Sequence, residues 1–218
     1  MRLQTLIVET EKITENALMK SLRKFNVNYQ FLGQDFDGEW SFREKMKMLV
    51  DCVGNYEIVL ILDYRDIMLL DNEESILNTF LSFNKPIIFG RDILCYPDES
   101  LAKYYPSANY LNAGVFIGYG NDVKWMMETA LNTYDYTDDQ LLYTKIFLEN
   151  QDRIGIDIEN KLIYNCQLWA SKTKETTIFD VQYDYKNKKI IHRKYNTIPK
   201  IIHTPGSSVL IRQAQKLL

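Results

Sequence analysis

Five consecutive apolar residues, Ile58-Val59-Leu60-Ile61-Leu62, run without a polar interruption and end directly on Asp63, with Asp66 three residues further on. Such a run, lacking any apolar/polar alternation, predicts a strand buried on both faces, which belongs in an α/β sheet covered by helices on each side. Loops at the carboxyl ends of these strands are where ligands gather. Both carboxylates would therefore reach a cleft. Residues three apart on a straight strand point to opposite faces, so the backbone must turn at Tyr64-Arg65 for the two acids to converge. Convergence makes a divalent-cation site over a diphosphate. Without it, the segment is a solvated acidic loop in which Arg65 pairs a neighbour.

The pattern around this strand alternates. Leu3 to Val8 predicts a buried first strand, and Ile13 to Phe25 a helix with Leu18, Leu22 and Phe25 at helical spacing. Tyr29 to Leu32 predicts a short strand, and Phe42 to Cys52 a helix with Met46, Leu49 and Val50 on one face. Further helices are expected over Glu73 to Phe83, Val123 to Tyr134 and Asp139 to Phe147, with strands at Pro86 to Phe89 and Lys200 to His203. Strand and helix in turn give the α/β class with a mostly parallel, doubly wound sheet. In Tyr110 to Gly118 a small-residue pair, Ala113-Gly114, lets backbone approach a ligand closely.

A length of 218 residues bounds one substantial domain, taken as 1–218. The net charge of −3 gives no general electrostatic reason to bind nucleic acid, and none is expected as a partner. Cys52, Cys95 and Cys166 are widely spaced with no Cys-x-x-Cys pair and read as reduced thiols. The opening residues turn polar at Glu9 before a signal-peptide core develops, and no stretch nears the roughly 20 apolar residues of a membrane span. The expectation is a cytoplasmic chain without a membrane partner. A homo-oligomer is compatible with the composition.

His203 follows Ile201-Ile202 at a strand-to-loop junction like that of Asp63. Alone it reads as a structural histidine. Grouped with Asp63 and Asp66 it gives two carboxylates and an imidazole, which suit manganese or a similar mid-row ion better than calcium. Asp138-Asp139-Gln140 is a second acidic cluster. A helix cap explains one of the two acids, while adjacent acids near a ligand grip sugar hydroxyls or stabilise a cationic transition state. Trp40 is either core or a base-stacking ring, and Lys45 either a solvated helix residue or a lysine aimed at phosphate.

Together these segments resemble the glycosyltransferase domain of the collagen lysyl hydroxylases and the related collagen galactosylhydroxylysine glucosyltransferases, including giant-virus forms. The carriers are Leu62-Asp63-Tyr64-Arg65-Asp66, Tyr110 to Gly118, Asp138 to Thr144 and Ile198 to His203. The resemblance implies a GT-A type fold with a Rossmann-like central sheet flanked by helices, a UDP-sugar donor and Mn2+. It also implies retaining transfer of glucose from UDP-glucose to galactosyl-hydroxylysine of collagen-like polypeptides. The family's relatives are secretory.

Residue by residue, the resemblance carries the metal ligands onto Asp63, Asp66 and His203, and the catalytic acids onto Asp138 and Asp139. Val8, Thr10, Trp40, Lys45, Tyr64 and Gly206 fall on nucleotide contacts. Asp92, Asn112 and Gln140 fall on the sugar and acceptor pocket. Two departures stand out. Arg65 replaces an aromatic residue that stacks on the base, so either Tyr64 substitutes or one ring of the sandwich is lost. The segment His203 to Ser207 lacks an asparagine and a later lysine, which leaves phosphate neutralisation to Lys45, Arg65 or Arg212. A UDP-galactose-dependent hydroxylysine galactosyltransferase and a non-catalytic UDP-sugar or collagen-binding module are the competing readings. A metal nuclease fits poorly with the acidic balance.

Overall fold

The computed structural model describes residues 1–166, 180–206, 211, 212 and 214–218. Its central sheet has six strands in the order β2-β1-β3-β6-β5-β7: β1 (Leu3–Val8), β2 (Tyr29–Leu32), β3 (Ile58–Leu62), β5 (Ile87–Asp92), β6 (Tyr110–Tyr119) and β7 (Ile154–Asp157). Only β6 runs against its neighbours β3 and β5; the other pairings are parallel. The expected mostly parallel α/β sheet is thus present, with one reversed strand inside it.

Side-chain alternation along β3 explains why helices cover both faces. Val59 and Ile61 enter one apolar cluster with Met46, Leu49 and Val53 of α2 (Phe42–Val53), and with α4 (Gly120–Thr133) and α5 (Asp139–Glu149). Ile58, Leu60 and Leu62 enter the other with α1 (Ala17–Lys24) and α3 (Glu73–Leu81). Every residue of β3 is fully buried, as the uninterrupted run demands.

Helix α1 begins four residues later than the apolar spacing predicts. The reason is local: the Asn16 side chain accepts a hydrogen bond from Met19 N and donates to Tyr64 O, so the cap fixes the start and ties it to the loop after β3. The strand expected over Lys200 to His203 forms as β11 (Ile201–His203), but in a separate three-stranded sheet. There it lies between β4 (Ile67–Leu69) and β8 (Ile163–Asn165). The sequence reading did not anticipate β4 or β8. A two-stranded hairpin, β9 (Val181–Asp184) and β10 (Lys189–His192), completes the strands among the described residues.

Asp157 holds the turn that launches β8. It is fully buried, and its carboxylate accepts from the backbone N–H groups of Lys161, Leu162 and Ile163 at 2.9, 2.7 and 2.8 Å. Burial pushes its carboxyl up to about 6, against the downward pull of those three donors. An unfolded aspartate titrates near ~3.9, so the stability this group contributes is greatest below that value and is lost as pH rises through the folded one. Asp157→Asn is expected to remove that part of the pH slope, and to cost about 1–3 kcal/mol at neutral pH by leaving a buried donor unpaired. Urea unfolding of both proteins at pH 4.5 and pH 7 checks the sign; parallel pH profiles would refute it.

Candidate functional site

The end of β3 and the end of β11 meet across a gap that Gly114 leaves open. Asp63, Asp66 and His203 each offer one ligand atom, and these atoms lie within 4.8 Å of one another. The required turn after Asp63 is present, so the two carboxylates do converge. Loops lock them in place: Asp63 N donates to Gly114 O at 2.9 Å, and Thr204 N donates to Asp66 O at 2.8 Å. Gly206, at φ +67°, donates its N–H to Asp66 Oδ2 at 3.0 Å.

Strand β6 supplies the gap through an irregularity. Along β5 the partner jumps from Phe116, opposite Phe89, to Asn112, opposite Gly90. The slip leaves the Ala113-Gly114-Val115 segment without partners on β5. A β-carbon on Gly114 would sit 2.4 Å from His203 Cε1, 2.8 Å from Nε2 and 2.9 Å from Asp63 Oδ2. The space a side chain would fill is the space a cation needs. Two oxygen donors, one imidazole nitrogen and this cradle fit a divalent ion.

Sequence reasoning missed Asn165. Its Nδ2 donates to Arg91 O at 2.7 Å, which turns Oδ1 toward His203 Nδ1 at 2.9 Å. Nδ1 therefore carries the proton, and Nε2 faces Asp66 Oδ1 at 3.5 Å. Burial works against charge on His203, but the carboxylates of Asp66, Asp63 and Asp92 together outweigh it and the ring is held above its ordinary value. Burial likewise works against Asp66, and His203 together with the backbone N–H groups of Gly206 and Asp66 more than offsets that, so its carboxyl is held low. A proton and a metal ion compete for Nε2, so metal affinity is expected to fall as pH drops through the raised histidine value, as titrations with Mn2+ at pH 8 and pH 6 would read. Asn165→Leu, similar in volume but without the acceptor, is expected to weaken metal affinity about 10–100-fold. An unchanged affinity would remove Asn165 from the site.

Two cavities flank the cradle. One of about 470 Å³ is lined by Val8, Glu9, Thr10, Trp40, Phe42, Lys45, Tyr64 and Arg65 beside the carboxylates. Trp40 is no core residue: it is 42% exposed and packs edge-on against Phe36 and Phe42. Tyr64 offers little of its ring, being 7% exposed, edge-on to Phe31 and hydrogen-bonded through its hydroxyl to Thr14 N and O. Of these two rings, Trp40 is the one freely presented to the cleft. Arg65 pairs Glu11 at 2.9 Å and Glu9 at 3.4 Å. Arg212 lies in the short helical turn near the carboxyl terminus, and Ser207 falls outside the described residues.

The second cavity, about 570 Å³, gathers Asp92, Asn112, Asp138, Asp139 and Gln140 on the other side of the same carboxylates. Asp92 Oδ2 accepts from Asn112 Nδ2 at 3.0 Å, and Gln140 Oε1 accepts from Ala113 N at 3.1 Å. The acidic pair divides its work. Asp138 caps α5, accepting from Leu141 N at 2.8 Å. Asp139 is 5% exposed and bonds Lys45 Nζ at 2.9 Å. Lys45 is not on a solvated face: it is 3% exposed and also bonds Asp63 Oδ1 at 2.8 Å. Burial works against its charge, but Asp139 and Asp63 outweigh it and keep the amine protonated. Burial conversely holds the Asp139 carboxyl above its usual range despite Lys45.

The PLOD GT domain profile matches residues 2–211. The chain belongs to this family. Among PLOD-domain relatives, the "Multifunctional procollagen lysine hydroxylase and glycosyltransferase" of Caenorhabditis elegans is 28% identical over 225 residues, 89% of this chain and 30% of that protein. Procollagen-lysine,2-oxoglutarate 5-dioxygenase 2 of Mus musculus is 27% identical, covering 94% and 30%. The uncharacterized protein R699 of Acanthamoeba polyphaga mimivirus is 26% identical, covering 86% and 42%. The chain thus spans about a third of the length of the first two relatives and somewhat more of the viral one.

In three dimensions it is similar to a glycosyltransferase involved in glycosylation of the major capsid of PBCV-1, with a TM-score of 0.53 at 13% identity over 99% of both chains. That likeness bears on the fold and agrees with a GT-A type α/β architecture. Among the described residues no helix is long and apolar enough to cross a membrane.

Proposed function

We propose that this PLOD GT domain is a Mn2+-dependent hexosyltransferase that moves glucose from UDP-glucose to galactosyl-hydroxylysine of collagen-like polypeptides, with retention of configuration. The observation that carries the reading is the placement of Asp63, Asp66 and His203 between two cavities of unlike chemistry. One side offers an exposed tryptophan and the end of β1, suited to a nucleotide. The other offers buried carboxylates and amides, suited to sugar hydroxyls.

A divalent ion in the cradle would supply Lewis-acid neutralisation of the departing diphosphate. The chain's own residues account for the rest. Trp40 stacks the uracil ring, with Val8 and Thr10 lining the nucleotide side and Gly206 bringing its backbone close. Asp92, Asn112 and Gln140 are tied to one another's strands and loops before any ligand arrives, so they present fixed hydrogen-bonding groups to donor sugar or acceptor. Asp139, buried and paired with the Lys45 ammonium, stabilises positive charge that develops on the sugar in the transition state. Its oxygen is already bonded to Lys45, which dulls it as a nucleophile and favours the same-face ion-pair route over a covalent glycosyl intermediate.

Incubation with UDP-glucose, Mn2+ and a galactosyl-hydroxylysine peptide tests the reading. UDP release above a metal-free blank, with transfer to the peptide, is expected. Transfer only from UDP-galactose to unsugared hydroxylysine would replace the donor and acceptor assignment. Binding of UDP-sugar with no turnover for any donor would leave a binding module.

A further inference from the structure

Lys45 is shared by the two halves of the cleft. Its ammonium has three donors, and two are committed to carboxylates from different elements: Asp63 Oδ1 at the end of β3, 2.8 Å away, and Asp139 Oδ2 in the first turn of α5, 2.9 Å away. The Phe42 ring lies 5.8 Å from the same nitrogen. The lysine and Asp139 are almost fully buried, so solvent screens that contact poorly, while the half-buried Asp63 leaves the other more open to water. Asp63 is a ligand of the cradle and Asp139 belongs to the sugar side. A single positive charge therefore answers to both.

We infer that Lys45 is a positioning residue that couples metal occupancy to the state of Asp139: its ammonium opposes a divalent ion at Asp63 and shifts its hold toward Asp139 when that ion binds. The inference rests on the metal reading above. Its physical basis is competition. An ammonium bonded to a ligand oxygen occupies part of that ligand's acceptor capacity, and its charge repels a cation a few ångströms away. When the ion draws on Asp63, the ammonium retains Asp139 as its strong partner. The carboxylate facing the sugar is then fixed most firmly when the site is loaded. By reciprocity, whatever strengthens the Lys45–Asp139 pair also strengthens metal binding.

This gives a sign that an ordinary structural lysine would not. Lys45→Met is expected to bind Mn2+ about tenfold or more tightly than the wild type, even as turnover falls, because the opposing charge is gone. Lys45→Arg, which keeps the charge, should stay within about threefold of the wild type. Asp139→Asn should weaken Mn2+ binding in the wild-type background, by leaving the ammonium to Asp63 alone, and should do so far less in the Lys45→Met background.

Calorimetric or electron-spin-resonance titration of the full chain with MnCl2 alone reads the wild type and all four variants without any activity measurement. The Lys45→Met/Asp139→Asn double variant leaves no lone buried charge and answers the same question where the single variant folds poorly. It too should bind more tightly than Asp139→Asn. Equal or weaker Mn2+ binding by folded Lys45→Met, or equal effects of Asp139→Asn in both backgrounds, would overturn the coupling while leaving the metal site standing. No Mn2+ binding by the wild type would overturn the metal reading, and the coupling with it.

Discussion

In Gly114→Ala, divalent-metal affinity is expected to fall by about 100-fold or more, at the upper end of losses seen when groups around a ligand set are disturbed. The added methyl would lie 2.4 Å from the His203 ring and 2.9 Å from Asp63 Oδ2, closer than van der Waals contact allows. One of the two ligands must move, and both are held by other bonds: His203 through Asn165 and Asp63 through Gly114 O and Lys45. Overpacking of this kind costs about 1–3 kcal/mol, which a well-formed α/β core should survive. Mn2+ titration beside a thermal melt separates the outcomes. A folded variant with near-native affinity would show that the gap does not hold the ion.

The second large effect concerns catalysis. Asp139→Asn is expected to lower turnover about 10²–10³-fold, the usual consequence of removing one preorganised charge that faces a transition state. At Mn2+ concentrations that saturate both proteins, affinity for UDP should stay within about threefold, because Asp139 lies on the sugar side and a transition-state contact lowers kcat without altering ground-state binding. Asp138→Asn should do far less to turnover, since asparagine caps a helix about as well as aspartate. Steady-state kinetics with the peptide acceptor, combined with UDP titration, would read the contrast. If the two variants lost equal activity, the division of labour within the acidic pair would be wrong.

The sequence made some of this site legible and hid the rest for identifiable reasons. Asp63 and His203 could be found because each ends an unbroken apolar strand, and strand ends in α/β sheets open onto clefts. Lys45 could have been placed from spacing: it lies four residues before Leu49 and eight before Val53, on the buried stripe of α2 and not on its solvated face. Asp138 as a cap was readable from its place before an apolar helix.

Gly114 was visible only as a small residue in an apolar stretch. Its function depends on the slip between β5 and β6, which no local pattern reports. Asn165 depends on β8 lying parallel to β11, so that it falls opposite His203, and β8 is too short to announce itself. The general rule is physical. Periodicity reveals what one segment buries, whereas the register between distant segments decides which side chains meet.

The cradle also joins two sheets: Asp63 follows the last residue of β3 in the large sheet, while His203 ends the central strand of the small one. An ion gripped there acts as a rivet between them. At a free concentration a hundred times its dissociation constant it would add roughly 2.7 kcal/mol to the folded state. Chelation would then do more than silence chemistry: it would loosen the seam between the six-stranded sheet and the three-stranded one.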